Sequence, residues 1–274
     1  MPPISRATKN NVESLLLLAI IAAVALIGWR WKAPHDQPGQ AVTIWLVNMG
    51  LLVAFTVIAG HIIVGLFRGV LIDSSNKISL SRLQMLLWTV LILSGFLTAV
   101  LVNIHRGHPE PLSIELHTQL WALLGISTTS LVGSPLIKNN KKSEPTNKVA
   151  QEKTESLLRS QGVDTPIHAE GRVLVNDTPK DARWTDIFKG EENANGAYLD
   201  LGKIQMFFFT LVTWFAYAIA FGNELQKSVK LNAPKFSAFP DLDTGMIALL
   251  GISHAAYLAN KAIPHTPEPP APTT

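Results

Sequence analysis

The chain has 274 residues, of which 47% are hydrophobic and only 16% are charged, and its net charge is +3. Soluble domains carry about a quarter charged residues, so this composition favours a membrane protein over a soluble enzyme. The few basic residues are scattered and form no basic face for nucleic acid. The absence of cysteine excludes disulfides, thiolate catalysis and cysteine-ligated metal sites.

Six stretches are apolar and long enough to cross a bilayer, which takes about 20 helical residues. In chain order they are residues 15–31, 42–67, 80–102, 119–137, 199–221 and 244–263. The sequence therefore predicts an all-α membrane protein with six transmembrane helices. The basic start and the "AVA" at residues 23–25 would also suit a signal peptide, but the apolar run continues past that point and favours an uncleaved anchor.

The flanking charges predict the orientation of these spans. Most Lys and Arg near the span ends fall on one side if the N-terminus is inside, and basic flanks face the cytoplasm. Trp29, Trp31, Trp45 and Trp121 then fall at the outer interface, where amphipathic rings prefer to lie. We expect both termini to be cytoplasmic.

The chain contains an internal repeat. The string "SRLQMLLWT" around Gln84 returns 121 residues later as "GKIQMFFFT" around Gln205, and "ALLGIS" at residues 122–127 returns at 248–253. Both copies begin and end on the same side, so spans three and four and spans five and six form a parallel repeat. The predicted domains are an added pair of spans (1–66), repeat unit one (67–137), a cytoplasmic linker with a short interfacial helix (138–187), repeat unit two (188–263) and a disordered Pro-rich tail (264–274).

The segment of residues 183–211, which opens "RWTDIFKG" and runs into the second repeat, resembles segments of uncharacterised bacterial multi-pass inner-membrane proteins. The resemblance implies a bacterial origin and an inner-membrane location. It carries no activity.

Each repeat begins with polar residues at the start of a span. Gln84 and Gln205 lie just inside, where an amide needs a partner. We expect them to bond to another helix, to line a polar conduit or to contact a lipid headgroup. Ser79 and Asp200 are predicted N-caps. The basic residues predicted to anchor lipid phosphates are Arg82, Lys203, Arg68 and Lys189.

The return spans carry small residues at a spacing of four, which predicts close helix packing. These residues are Gly125, Thr129, Gly133, Gly251, Ala255 and Ala259. Ser127, Ser253 and His254 add polar atoms that could line a conduit or pair between helices. Ser127 on span four with His254 on span six also resembles the catalytic pair of rhomboid intramembrane proteases, although "GIST" lacks the second glycine of the rhomboid G-x-S-G motif.

The polar segments give local predictions. Residues 138–148 are typical of a disordered linker, residues 149–162 of a short helix ended by Gly162, and "GRVLV" of a lone strand. In "DARWTDIFKG" the residues Trp184, Ile187 and Phe188 share one helical face, which predicts an interfacial helix. The tail is predicted to be unstructured.

These features predict a non-enzymatic, oligomeric channel or passive conduit. The alternative is a membrane scaffold that docks a partner through its cytoplasmic segment, and the rhomboid-like serine protease is a remote third. The expected partners are the lipid bilayer, further copies of the chain and a protein at the cytoplasmic segment, with no nucleic acid. No cofactor or metal is expected.

Overall fold

The computed structural model describes residues 14–23, 26, 38–163, 167–230 and 235–269, and these are mainly helical. The helices are α1 (Ser14–Ala23), α2 (Pro38–Val64), α3 (Leu80–His105), α4 (Thr118–Lys142), α5 (Lys148–Ser160), α6 (Leu201–Lys230) and α7 (Thr244–Ala262). Two strands, β1 (Ile167–Glu170) and β2 (Val173–Asn176), form an antiparallel hairpin. Short 3₁₀ helices cover Gly69–Leu71, Pro179–Asp181 and Trp184–Phe188.

Four helices of the described part of the chain, α2, α3, α4 and α6, are long and apolar enough to cross a membrane. They indicate a membrane-embedded protein, and they coincide with predicted spans two to five. The sixth predicted span is the helix α7, but it does not belong to this group, because His254, Asn260 and Lys261 lower its hydropathy. The first predicted span begins in α1, and residues 27–37, with Trp29 and Trp31, lie outside the described residues.

The chain divides into two compact units. Unit 1 comprises residues 1–70, 86–122 and 212–244, and unit 2 comprises residues 71–85, 123–211 and 245–274. Each unit has its own buried side chains, so the two are described separately.

Unit 1 is built on an aromatic core. The ring of Phe221 lies 4.9 Å from Trp45 and 4.9 Å from Phe239. Trp45 was predicted at the outer membrane interface, but it is 3% exposed, and its Nε1 donates to Ser94 Oγ at 3.1 Å. The burial comes from packing against Phe221 and from the hydrogen bond to Ser94, which a sequence pattern does not reveal.

Unit 2 contains a polar segment between α4 and α6, which we call the cap (residues 143–200), and its described residues, 143–163 and 167–200, are ordered. The predicted short helix is found as α5, where Asn147 Oδ1 accepts the backbone N–H of Ala150 at 3.0 Å. Gly162 follows with a φ of +77°, as expected for a residue that ends a helix. The predicted lone strand is β2, which pairs with β1. Ile187 is buried while Trp184 is exposed, so the two do not form one membrane-facing surface.

The segment predicted as a disordered linker is ordered. Helix α4 continues to Lys142, and α5 begins at Lys148. The prediction rested on polar composition. In the structure Lys138 and Lys141 are buried, and their ion pairs with carboxylates stabilise the folded form of this polar stretch.

The described part of the tail, residues 264–269, is packed rather than free. The backbone N–H groups of His265 and Thr266 donate to Glu192 Oε2 at 2.9 and 2.8 Å, and Thr266 is buried. The prediction of disorder is therefore wrong for the first residues of the tail, because a buried carboxylate accepts their amides. Residues 270–274 lie outside the described part.

Candidate functional site

A buried cluster of lysines and carboxylates in unit 2 joins the cap to three helices. Glu191, in the cap, receives Lys138 from α4 at 3.0 Å, Lys203 from α6 at 2.8 Å and Lys261 from α7 at 2.6 Å. Lys138 also pairs with Asp73, which precedes α3. The Glu191 side chain is 17% exposed, and its three lysines are less exposed still. We call these five residues the Glu191 cluster.

A second ion pair lies beside the first. Lys141 Nζ binds Glu192 Oε1 and also donates to the backbone carbonyls of Lys261 and Ile263. Glu192 in turn accepts the two tail amides described above. The neighbouring carboxylates of the cap therefore hold the ends of α4, α6 and α7 and the start of the tail.

The lysines dominate the electrostatics of both acids. Burial disfavours ionisation of Glu191, but Lys138, Lys203 and Lys261 outweigh it and hold the Glu191 pKa well below its usual range. Burial likewise opposes ionisation of Asp73, and Lys138 lowers the Asp73 pKa overall. Both carboxylates are therefore charged at neutral pH, so that the buried ammonium groups are compensated.

The cluster has little room for chemistry. A cavity of about 20 Å³ lies beside it, with Glu191, Asp200 and Lys203 among its lining residues. That volume suits one ordered water and not an organic substrate. The arrangement is suited to hold chain segments together.

The two repeated glutamines have different surroundings. Gln84 is 1% exposed, and its Nε2 donates to the Met206 carbonyl at 3.4 Å and to the Thr210 hydroxyl. Of its three predicted roles, Gln84 thus has the bond to another helix. Gln205 is exposed on the outside of α6. The two glutamines occupy corresponding positions in the sequence repeat, but only Gln84 is buried.

The other polar side chains that were predicted to line a conduit, Ser127, Ser253 and His254, are buried. His254 Nδ1 lies 2.7 Å from Ser130 Oγ, so the partner of this histidine is Ser130. The rhomboid comparison would require the partner to be Ser127. Ser127 and Ser253 are buried, and neither hydroxyl has a hydrogen-bond partner among the described residues. As placed, these side chains line no open passage through unit 2.

The small residues on α4 and α7 contribute little to packing within the chain. A Cβ at Gly133 would lie 3.4 Å from Leu258, and one at Gly251 would lie 3.7 Å from Ile126, which are ordinary contacts. The others are exposed: Gly125, Thr129, Ala255 and Ala259.

The four basic residues that were predicted to anchor lipid phosphates differ in their exposure. Arg82 is exposed at the start of α3, and Arg68 and Lys189 are partly buried. Lys203 is buried against Glu191, and its Nζ also donates to the Lys189 carbonyl at 2.7 Å, so a lipid phosphate cannot reach it in this arrangement. The predicted N-cap at Asp200 is present, because Asp200 Oδ1 accepts the Lys203 N–H at 3.2 Å.

Sequence reasoning missed Glu191 and the role of its lysines. Lys138 and Lys261 were predicted only to set orientation as flanking charges, and Lys203 was predicted in addition to anchor a lipid phosphate. The available signal was the "EE" pair at residues 191 and 192, the one acidic doublet in the chain.

Comparisons of the chain with protein-family models, with curated proteins and with solved structures gave no significant match. Function is therefore argued from the residues themselves.

Proposed function

We propose that the chain is a non-enzymatic scaffold of the bacterial inner membrane that presents its cap to a protein partner in the cytoplasm. The observation that carries this proposal is the attachment of Glu191 to lysines of three helices. A simple tether needs no ordered structure. A buried ionic cluster contributes little net stability, and its best-attested use is to specify one arrangement of chain segments. A fixed arrangement suits a docking surface.

In this proposal the chain has six spans with both termini in the cytoplasm, and spans three to six form a parallel repeat. Corresponding backbone donors support the repeat, although their acceptors do not correspond. The Ser79 N–H donates to the Leu71 carbonyl at 2.9 Å, and the Asp200 N–H, 121 residues later, donates to the Phe188 carbonyl at 2.8 Å, whereas the repeat partner of Leu71 is Glu192. Each contact folds the lead-in segment back just before its helix begins.

The docking surface is the exposed face of α5. Lys148, Glu152, Lys153 and Arg159 are exposed there, while Leu158 on the opposite face is buried. The α5 helix belongs to the cap and carries charges of both signs. Such a surface suits a polar protein surface better than a lipid.

Site-specific photo-crosslinking in living cells tests the scaffold. A photoreactive residue at Lys153 or Arg159 should give one discrete protein adduct. The matched control at Leu112, an exposed residue of unit 1, should not give that adduct. The same pattern of adducts at all three positions, or none at the α5 positions, would contradict the scaffold.

A conduit remains the second candidate, and the exposure of Gln205 favours it in one form. Because Gln84, Ser127, Ser253 and His254 are buried within the chain, a conduit would have to lie between copies, with Gln205 on its wall. In liposomes, Gln205→Leu should then reduce flux while Gln84→Leu should not. Equal flux through wild type and Gln205→Leu would count against it.

A further inference from the structure

A second cavity in unit 2, of about 30 Å³, collects positive charge. It lies between the segment that precedes α3 and the cap. Lys77, Arg183 and Lys189 line it, and an apolar wall is formed by Leu158, Val163, Ile167 and Leu174. The cavity is distinct from the one beside Glu191, with which it shares no lining residue. We call it the basic pocket.

The cations of the basic pocket are not neutralised as those of the Glu191 cluster are. Among the residues that the structure describes, ion pairs join Lys138, Lys203 and Lys261 to carboxylates, but none joins Lys77, Arg183 or Lys189. Lys189 Nζ has only the Gln161 amide oxygen, at 3.4 Å.

The two carboxylates that line the pocket are also held by the protein. Asp186 Oδ2 accepts the backbone N–H groups of Arg183 at 2.7 Å and Ile78 at 3.3 Å. Asp181 Oδ2 accepts the N–H and hydroxyl of Thr178 at 3.1 and 2.7 Å. Both carboxylates keep their negative charge, but the three cations outnumber them by one, so an anion would complete the charge balance of the pocket.

Lys77 gives an energetic reason for such an anion. Burial, and to a smaller extent the ammonium groups of Lys138 and Lys203, lower the pKa of Lys77 to about 8, although Asp186 and Glu191 act to raise it. A bound anion would stabilise the charged form. It would compensate a cation that the fold itself leaves without an ion pair.

We propose that the basic pocket binds a phosphate group, held by Lys77, Arg183 and Lys189. Lys77 comes from the segment before α3, while Arg183 and Lys189 flank the short helix Trp184–Phe188. Donors from two segments suit a tetrahedral anion, and the guanidinium of Arg183 can bind two phosphate oxygens at once. The cavity is small, so the organic part of a phosphate ester would have to lie outside it. Trp184, which is 57% exposed, and Tyr198, which is 54% exposed, belong to the same segment, and such rings favour a membrane interface. The phosphate can come from an anionic lipid or from a soluble compound.

The test uses the full chain in neutral detergent and in nanodiscs. In detergent, inorganic phosphate is titrated at constant ionic strength and the shift in Tm is measured. Nanodiscs of phosphatidylcholine are compared with nanodiscs that also contain phosphatidylglycerol, and retained lipid is counted by native mass spectrometry. A response to phosphate in detergent assigns a soluble ligand, and selective retention of phosphatidylglycerol assigns a lipid headgroup. No response in either arm overturns the proposal.

The variant Arg183→Gln with Lys189→Gln should weaken binding at least about tenfold, because it removes two charge-assisted contacts. The control, Lys153→Gln with Arg159→Gln, makes the same change in charge on α5 and should bind as wild type. Equal weakening in both would mean that only net charge matters, and would overturn the site.

The pH dependence of phosphate binding in the Lys77→Met variant is a second test. Wild-type affinity should fall as pH rises through about 8, whereas the Lys77→Met protein should lack this dependence.

Discussion

Glu191 compensates three ammonium groups, of which Lys138 also pairs with Asp73. Lys138, Lys203 and Lys261 come from three separate helices and are nearly inaccessible to solvent. A buried pair adds little compared with a well-packed apolar core, but removing one partner leaves an uncompensated charge. Here the loss of one residue would leave three cations short of a partner.

Replacing Glu191 with Gln should therefore destabilise the attachment of the cap by about 3–5 kcal/mol, the usual cost of breaking a buried ion pair. Hydrogen exchange of residues 167–200, followed by mass spectrometry, should show faster exchange there. Glu152→Gln on the exposed face of α5 is the control and should exchange as wild type. Unchanged protection in Glu191→Gln would show that the other contacts of the cap, such as the Lys141–Glu192 ion pair, hold it without Glu191.

The turn of the β hairpin closes the end of α4. The last carbonyls of a helix lack intrahelical partners, and the Arg172 N–H donates to the Lys141 carbonyl at 3.0 Å. The Arg172 side chain pairs with Glu144 and donates to the Thr266 carbonyl at 3.0 Å. This approach requires Gly171, whose φ is +60° and whose Cβ, if present, would lie 2.4 Å from the Lys142 carbonyl oxygen.

Gly171→Ala should consequently cost more than Gly162→Ala. Both glycines have a positive φ, which costs an alanine about 1–2 kcal/mol, but a Cβ at Gly162 meets nothing within 4 Å. The clash at Gly171 should add about 1–3 kcal/mol. Thermal unfolding of the two purified variants measures the difference, and equal values of Tm would show that the hairpin can move away from α4.

Some elements of the cap were predictable because their signals lie between residues that are close in the sequence. Others depend on contacts between residues that are far apart in the sequence. The α5 helix has an amphipathic pattern and ends before Gly162, and both signals are local. Strand β1 was missed because "IHAE" is short and its only partner is β2. The packing of Thr266 on Glu192 joins residues 74 positions apart, and no composition rule reports it.

For the whole molecule, hydropathy predicted the four apolar helices, but the candidate site lies where hydropathy has no information. The sequence alone does not distinguish a lysine or arginine at a span end that faces a lipid phosphate from one that faces a buried glutamate. Lys203 and Arg82 illustrate this, because both stand at the start of a repeated helix and only Arg82 is exposed.

The cap should open in acid. The folded pKa of Glu191 is below the ordinary 4.5 and that of Asp73 is below the ordinary 3.8, so both stabilise the folded protein above those values. The stabilisation is lost as pH falls through the folded pKa values. Asp186, whose pKa is raised by burial, acts in the opposite direction.

Hydrogen exchange of residues 167–200 at pH 7, 5, 4 and 3, corrected for intrinsic rates, should therefore lose protection below about pH 4. Glu191→Gln should show a smaller change over the same range. A wild-type profile that stays flat to pH 3 would contradict the low folded pKa values.

The position of the Glu191 lysines along the chain has a consequence for biosynthesis. Lys138 precedes Glu191 and Lys203 follows it by 12 residues, whereas Lys261 lies 70 residues beyond it, in α7. The cluster can be completed only after α7 leaves the ribosome. Until then the nascent cap has an incomplete set of partners, so a chain truncated before α7 would be recognisable to quality-control proteases by its open cap.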